Sequence, residues 1–151
     1  EKNHSKMPAK LFVLLKLLIV LICIPDGILR ITPKFSPKMH QKHWNRFSRG
    51  IFPIWKRHFF DKVGLISVEP NNLNQGIGRT QIISSFLIFS GMERHAVICL
   101  GTIMFFIGYS EAFLGTYPFV QILVVLMCAA IYINISKKLV EQKKKINRKN
   151  D

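Results

Sequence analysis

Apolar residues in this chain are bunched rather than spread, falling into four runs, Leu11–Ile31, Ile77–Met92, Ala96–Leu114 and Phe119–Ile135, with most of the charges between them. This is not the 3.6-residue alternation of a surface helix; it is the pattern of membrane spans. Lys10 to Ile31 as a helix reaches roughly 33 Å, close to the ~30 Å hydrocarbon thickness of a bilayer. The run is read as a retained span rather than a cleaved signal. Lys16 interrupts its core, and no small-residue cleavage site surrounds Cys23-Ile24-Pro25-Asp26-Gly27. The second run is short and carries Arg79, Thr80, Gln81, Ser84, Ser85 and Ser90, so it belongs inside a bundle. Gly76, Thr80 and Ser84 repeat every four residues, a stripe suited to close helix packing. In the third run Gly101, Gly108 and Gly115 stand seven apart and predict a packing seam. Glu93-Arg94-His95 and Gly115-Thr116-Tyr117-Pro118 are short turns between antiparallel neighbours. The expected fold is all-α: a bundle of four transmembrane helices over about 10–31, 77–92, 96–114 and 118–136, flanked by basic tails 1–9 and 137–151.

Between the first two runs lies a basic, aromatic loop, 33–62. Ser36-Pro37 is a helix start, with Ser as N-cap and Pro in the first turn. From there His40, Trp44, Phe47 and Ile51 recur at spacings of four, three and four and share one helical face, with Pro53 expected to stop the helix and Trp55 just beyond it. A short amphipathic helix of this composition suits the membrane interface, and the same face suits a partner protein.

The formal net charge is +14. The basic residues flank apolar runs, so anionic lipid headgroups explain them better than nucleic acid does. Cys23, Cys99 and Cys128 sit singly within apolar runs, neither a disulfide framework nor a zinc site. His40, His43 and His58 lack the cysteine or carboxylate neighbours a metal site needs. Gly76-Ile77-Gly78 lacks the third glycine and the preceding strand of a phosphate loop. No metal, no cofactor and no catalytic residue is assigned, and the chain is not expected to be an enzyme.

Four spans place both termini on one side. Lysine and arginine number nine on the loop side; the other side has three near the start, one at Arg94 and seven in the tail, so charge barely orients the chain. Two glycosylation sequons begin at Asn3 and Asn134; a glycan on Asn3 would mark a lumenal N-terminus. The hairpin order brings Asp26, Arg30, Arg79, Gln81, Glu111 and Gln121 toward the loop side. Ionisable groups at membrane depth mark function by default, and Glu111 is expected to pair with Arg79 or Arg30. Lys16 is expected to snorkel to the headgroups.

The segment Gly27-Ile28-Leu29-Arg30-Ile31-Thr32-Pro33-Lys34-Phe35-Ser36 resembles the exit from the first span in the novel acetylcholine receptor chaperone family of DoxX-like membrane proteins. Its marks are Gly27, Arg30, Thr32, Pro33 and Ser36. Met39, Arg46 and Pro53 in the following segment are similar, as is the layout of roughly residues 10–138. The resemblance implies four helices in the endoplasmic reticulum membrane with cytosolic termini. It also implies a non-catalytic role: binding subunits of pentameric, nicotinic-type receptors until they assemble and reach the cell surface. One departure stands out, because Gln81 occupies the place of the family's second-span Glu. Arg148-Lys149-Asn150-Asp151 approximates a dilysine retrieval signal. The alternatives are a redox or quinone-linked DoxX-like subunit and a small transporter component. No haem-type histidine arrangement supports the first, and no inverted repeat supports the second.

Overall fold

The computed structural model describes residues 7–65 and 67–150, with side chains to residue 146. The Asn3 sequon and the side chains of the Arg148–Asp151 motif lie outside them. Among the described residues the chain is helices and connections, without strands.

Helix α1 (Ala9–Ile31) runs through Pro25 without breaking. Helix α2 (Pro37–Arg46) passes into a wide π-turn, Phe47–Ile51, then the short α3 (Phe52–Trp55), a second π-turn, Lys56–Phe60, and a final tight turn, Asp61–Val63. Helix α4 is Pro70–Leu87, α5 is Glu93–Phe113 and α6 is Phe119–Asn150. Helices α1, α5 and α6 are long and apolar enough to cross a membrane; α4 is not among them. Its first turns hold Asn71, Asn72, Asn74 and Gln75, and Gln81, Ser84 and Ser85 follow, which lowers its hydropathy. Length and composition therefore support three spans, not the expected four.

Helix α4 nevertheless lies along α1. Arg30 bonds Asn74, Gly27 meets Gly78, and Lys16 reaches Glu93 at the start of α5. The two helices are thus antiparallel over most of the length of α1. Helix α5 packs on α4 and then on α6, where Gly101 lies against Cys128 and Gly108 against Gln121. Contacts between α1 and α6 are sparser. The bundle's outside is apolar: Leu14, Leu17 and Leu21 on α1, Ile83 and Phe86 on α4, Phe105 on α5 and Leu126 on α6 are exposed. Its inside holds Asn74, Gln81, Ser84, Ser85 and Ser110 beside Ile19, Leu100, Ile107 and Ile131. Polar groups buried under an apolar surface are what a lipid solvent selects, since exposed apolar patches this extensive are rare on soluble monomers.

Several local expectations are corrected. Gly115 is not part of the glycine seam: it sits in the α5–α6 turn at φ +73°, a conformation that suits glycine. The small-residue stripe on α4 is not Gly76-Thr80-Ser84 either, since space is open around Gly76, whereas Gly78 meets α1. Gly91, at φ +82°, turns the chain before Glu93, so Glu93 opens α5 rather than forming the turn. Pro53 does not stop the helix. The preceding turn is widened, with Phe52 N–H bonded to the Phe47 carbonyl, and a wider turn gives room for the proline ring where an α-turn would clash. Helix α6 runs on past Lys137-Lys138, since Leu139–Lys145 contains no glycine or proline to end it.

Lys16 does not snorkel. It is buried, forms an ion pair with Glu93, and lies over the rings of Phe12 and Phe89. The first residue of α5 supplies the carboxylate locally, so the ammonium need not reach the headgroups.

Candidate functional site

The family-like segment builds the loop-side end of the bundle. Pro33 pushes Thr32 into an extended conformation, φ −136° and ψ 136°, which ends α1. Thr32 Oγ1 accepts the Lys34 N–H at 3.2 Å. Ser36 Oγ then accepts the Met39 N–H at 3.4 Å and caps α2, with Pro37 in the first helical position. The turn folds α2 back over the bundle, and the His40 ring Nδ1 lies 2.6 Å from the Leu29 carbonyl, an arrangement that makes Nδ1 the donor.

Upstream, Gly27 and Gly78 bring α1 and α4 into backbone contact. A Cβ on Gly27 would lie 2.8 Å from the Gly78 carbonyl oxygen, and one on Gly78 would lie 2.7 Å from that of Gly27. This closeness lets short polar side chains on the two helices meet. Asp26 Oδ2 accepts from Arg30 Nε at 2.9 Å and from Gln81 Nε2 at 2.8 Å. Arg30 Nη1 donates to Asn74 Oδ1 at 2.9 Å. Gln81 is fully buried, and its Oε1 has no hydrogen-bond partner among the described residues. A glutamate at this position would face the Asp26 carboxylate with like charge, whereas the amide donates to it. Gln81 and Asp26 are therefore complementary.

Glu111 does not pair with Arg79 or Arg30. Arg46, at the end of α2, grips it with two hydrogen bonds, Nε to Oε1 at 2.6 Å and Nη2 to Oε2. Arg79 is exposed and, among the described residues, bonds only within its own helix, at Gln75. The partner lies outside the spans: the loop folds onto the bundle and supplies it. Below this pair Phe47, Ile51 and Trp55 are buried. Trp55 Nε1 donates to Ser110 Oγ at 2.7 Å, and the Phe59 ring stands edge-on to Phe106 at 5.1 Å. His40 and Trp44 are half-buried. The expected face of the loop helix is thus real, but it closes over the bundle rather than lying free in the interface.

Asp26, Arg30, His43, Arg46, Glu111 and Gln121 surround a cavity of about 110 Å³. Five of the six residues expected to cluster meet here directly or, for Gln81, through Asp26; Arg79 does not. Sequence reasoning missed Arg46, His43 and Asn74. The spacing of Arg46 from Trp44 and Phe47 set it beside the buried face, and that was the available signal. A cavity this size falls below the ~300 Å³ of small-molecule pockets and suits a few waters. Among the described residues no group of three His, Cys, Asp or Glu is arranged to hold a metal ion.

His43 Nδ1 lies 3.5 Å from Asp26 Oδ1. Burial nonetheless pushes its pKa below the ordinary value: Asp26 works against this, while Arg30, Lys42 and Arg46 add to it. The neutral ring is favoured in the folded chain. Its contribution to stability is complete above the unfolded pKa of about 6.5 and is lost as pH falls through the lower folded value. Thermal unfolding in mild detergent should therefore show a drop in Tm between pH 7.5 and pH 5 that His43→Gln reduces.

No protein-family model, curated protein or solved structure matches the chain. The likeness to the receptor-chaperone family accordingly rests on the Gly27–Ser36 segment and the layout around it.

Proposed function

We propose that this protein is a non-catalytic membrane chaperone that binds subunits of pentameric, nicotinic-type receptors in the endoplasmic reticulum and promotes their assembly and surface delivery. The observation that carries the reading is at Phe35. It lies inside the family-like segment, yet it is 82% exposed and serves neither the cap nor the turn. Met39, one turn further on, is 51% exposed. Gly27, Arg30, Thr32 and Ser36 have architectural work in the bundle; Phe35 and Met39 present apolar surface beside it, as a partner-binding edge does.

The same reading makes α4 a fourth span. It runs antiparallel to α1 at the same depth, with Ile83 and Phe86 exposed, and its polar face is buried against α1. Four spans put both termini in the cytosol on the family's topology. Asn134 is no glycan acceptor on this reading, since its side chain is 6% exposed within α6.

Co-expression with subunits of pentameric receptors, followed by counting surface receptors with a labelled antagonist, tests the function. The expected result is a rise for at least one nicotinic-type receptor. Unchanged surface number for every pentameric receptor tried would sink the proposal.

A further inference from the structure

The sparse seam between α1 and α6 opens at its terminus-side end into a groove of about 390 Å³. Met7 and Leu11 form one wall; Ala130, Ile133, Asn134 and Lys137 form the other. The walls are apolar, and the two polar groups stand one helical turn apart where the apolar run of α6 gives way to lysines. Lys137 is exposed, whereas Asn134 is 6% exposed and its Nδ2 has no hydrogen-bond partner among the described residues. An amide donor buried without a partner bears its full desolvation cost unless a ligand takes the bond. Rotation about the last torsion of asparagine is soft, so Nδ2 can turn to the groove that the residue lines. Among the described residues no carboxylate lines this groove, and Lys138, next to Lys137 on α6, stands over the Phe12 ring of α1.

We propose that this groove binds one anionic glycerophospholipid. Its phosphate is held by Lys137 Nζ and Asn134 Nδ2, and an acyl chain descends between Leu11 and the Ala130–Ile133 face of α6. Charge selects an anionic headgroup, the depth of the apolar walls selects a chain-bearing ligand over a free phosphate, and the unpartnered amide supplies the one directional contact. The volume is within the range of ligand pockets.

The test uses the full chain, reconstituted in phosphatidylcholine vesicles with a minor fraction of phosphatidylserine, extracted in mild detergent and weighed by native mass spectrometry. The expected result is one retained phosphatidylserine per chain, with phosphatidylcholine retained poorly. Lys137→Gln, at an exposed position that does not threaten folding, should lower retention about tenfold, the size of one charge-assisted hydrogen bond. Asn134→Leu should do likewise, while Lys144→Gln in the distal part of α6 should leave retention unchanged. Equal retention of the two lipids would overturn the site. So would equal losses for Lys137→Gln and Lys144→Gln, which would mean general attraction to headgroups, or full displacement by inorganic phosphate, which would mean that the chain contributes nothing. Retention of a peptide in place of lipid would also overturn it.

Discussion

Gly27→Ala is expected to destabilise the bundle by about 3 kcal/mol, the upper range for overpacking, because the added methyl meets backbone rather than a movable side chain. Its Cβ would stand 2.8 Å from the Gly78 carbonyl oxygen and 2.9 Å from Ile82. To admit it, α1 and α4 must separate, and the separation also lengthens the two bonds that cross between them, from Gln81 to Asp26 and from Arg30 to Asn74. Gly78→Ala should behave alike, since its Cβ would lie 2.7 Å from the Gly27 carbonyl oxygen. Gly76→Ala is the control within the same helix. Nothing lies within 4 Å of its Cβ position, so relief of the helical glycine penalty should stabilise by about 0.5–1 kcal/mol. Thermal unfolding of the three variants in one detergent gives the order; Gly27→Ala as stable as the parent would show that the helices do not touch there.

The second large effect is an asymmetry at the Arg46–Glu111 pair. The Glu111 side chain is 8% exposed and that of Arg46 is 43% exposed. Arg46→Gln leaves a carboxylate buried without its partner and should cost about 3 kcal/mol. Glu111→Gln leaves a guanidinium that can turn to water, so about 1 kcal/mol is expected. Removing both partners should cost less than the two single losses together, because the uncompensated charge is gone. Arg79→Gln should shift stability by no more than about 0.5 kcal/mol and combine additively with Glu111→Gln. The same set separates the observed pairing from the pairing of Glu111 with Arg79 that span order alone suggests. Equal costs for Arg46→Gln and Glu111→Gln would contradict the burial difference.

What the sequence made legible follows from the solvent. A helix against lipid is apolar over most of its circumference, so Leu11–Ile31, Ala96–Leu114 and Phe119–Ile135 announce themselves by length and hydropathy. Ser36-Pro37 also announces the start of α2, because capping is local chemistry. The rotation of each helix about its axis is not local, and that is where the reading went astray. Gly76, Thr80 and Ser84 form a regular stripe on paper, but the contact is made by single glycines, Gly27 and Gly78, on facing helices. Two π-turns rephase the segment after Arg46, and no residue spacing predicts how the helix continues through Pro53. Arg46 was consequently counted as one loop charge among nine instead of the partner of Glu111. Lys16 was misplaced for a related reason: Glu93 was assigned to a turn, whereas Gly91 completes the turn and frees Glu93 to begin α5 beside Lys16.

These corrections sharpen the candidate site. The loop-side end is a clamp of Asp26, Arg30, Gln81, Arg46 and Glu111 that fixes α2 over α1, α4 and α5. Phe35 and Met39 project from the turn that the clamp holds in place. On the proposed function a client is recognised at this edge, and an edge pre-organised by the clamp limits the conformational entropy lost on binding.

Site-specific photocrosslinking tests this most directly. A photoreactive residue placed at Phe35, at Met39 or at Leu21, which is 71% exposed midway along α1, leaves the buried clamp untouched. With a nicotinic-type receptor subunit co-expressed, the account predicts strong crosslinks from positions 35 and 39 and weak ones from position 21. Crosslinking from Leu21 that equals or exceeds that from Phe35 and Met39 would place recognition on the lipid-facing surface of α1 and contradict it.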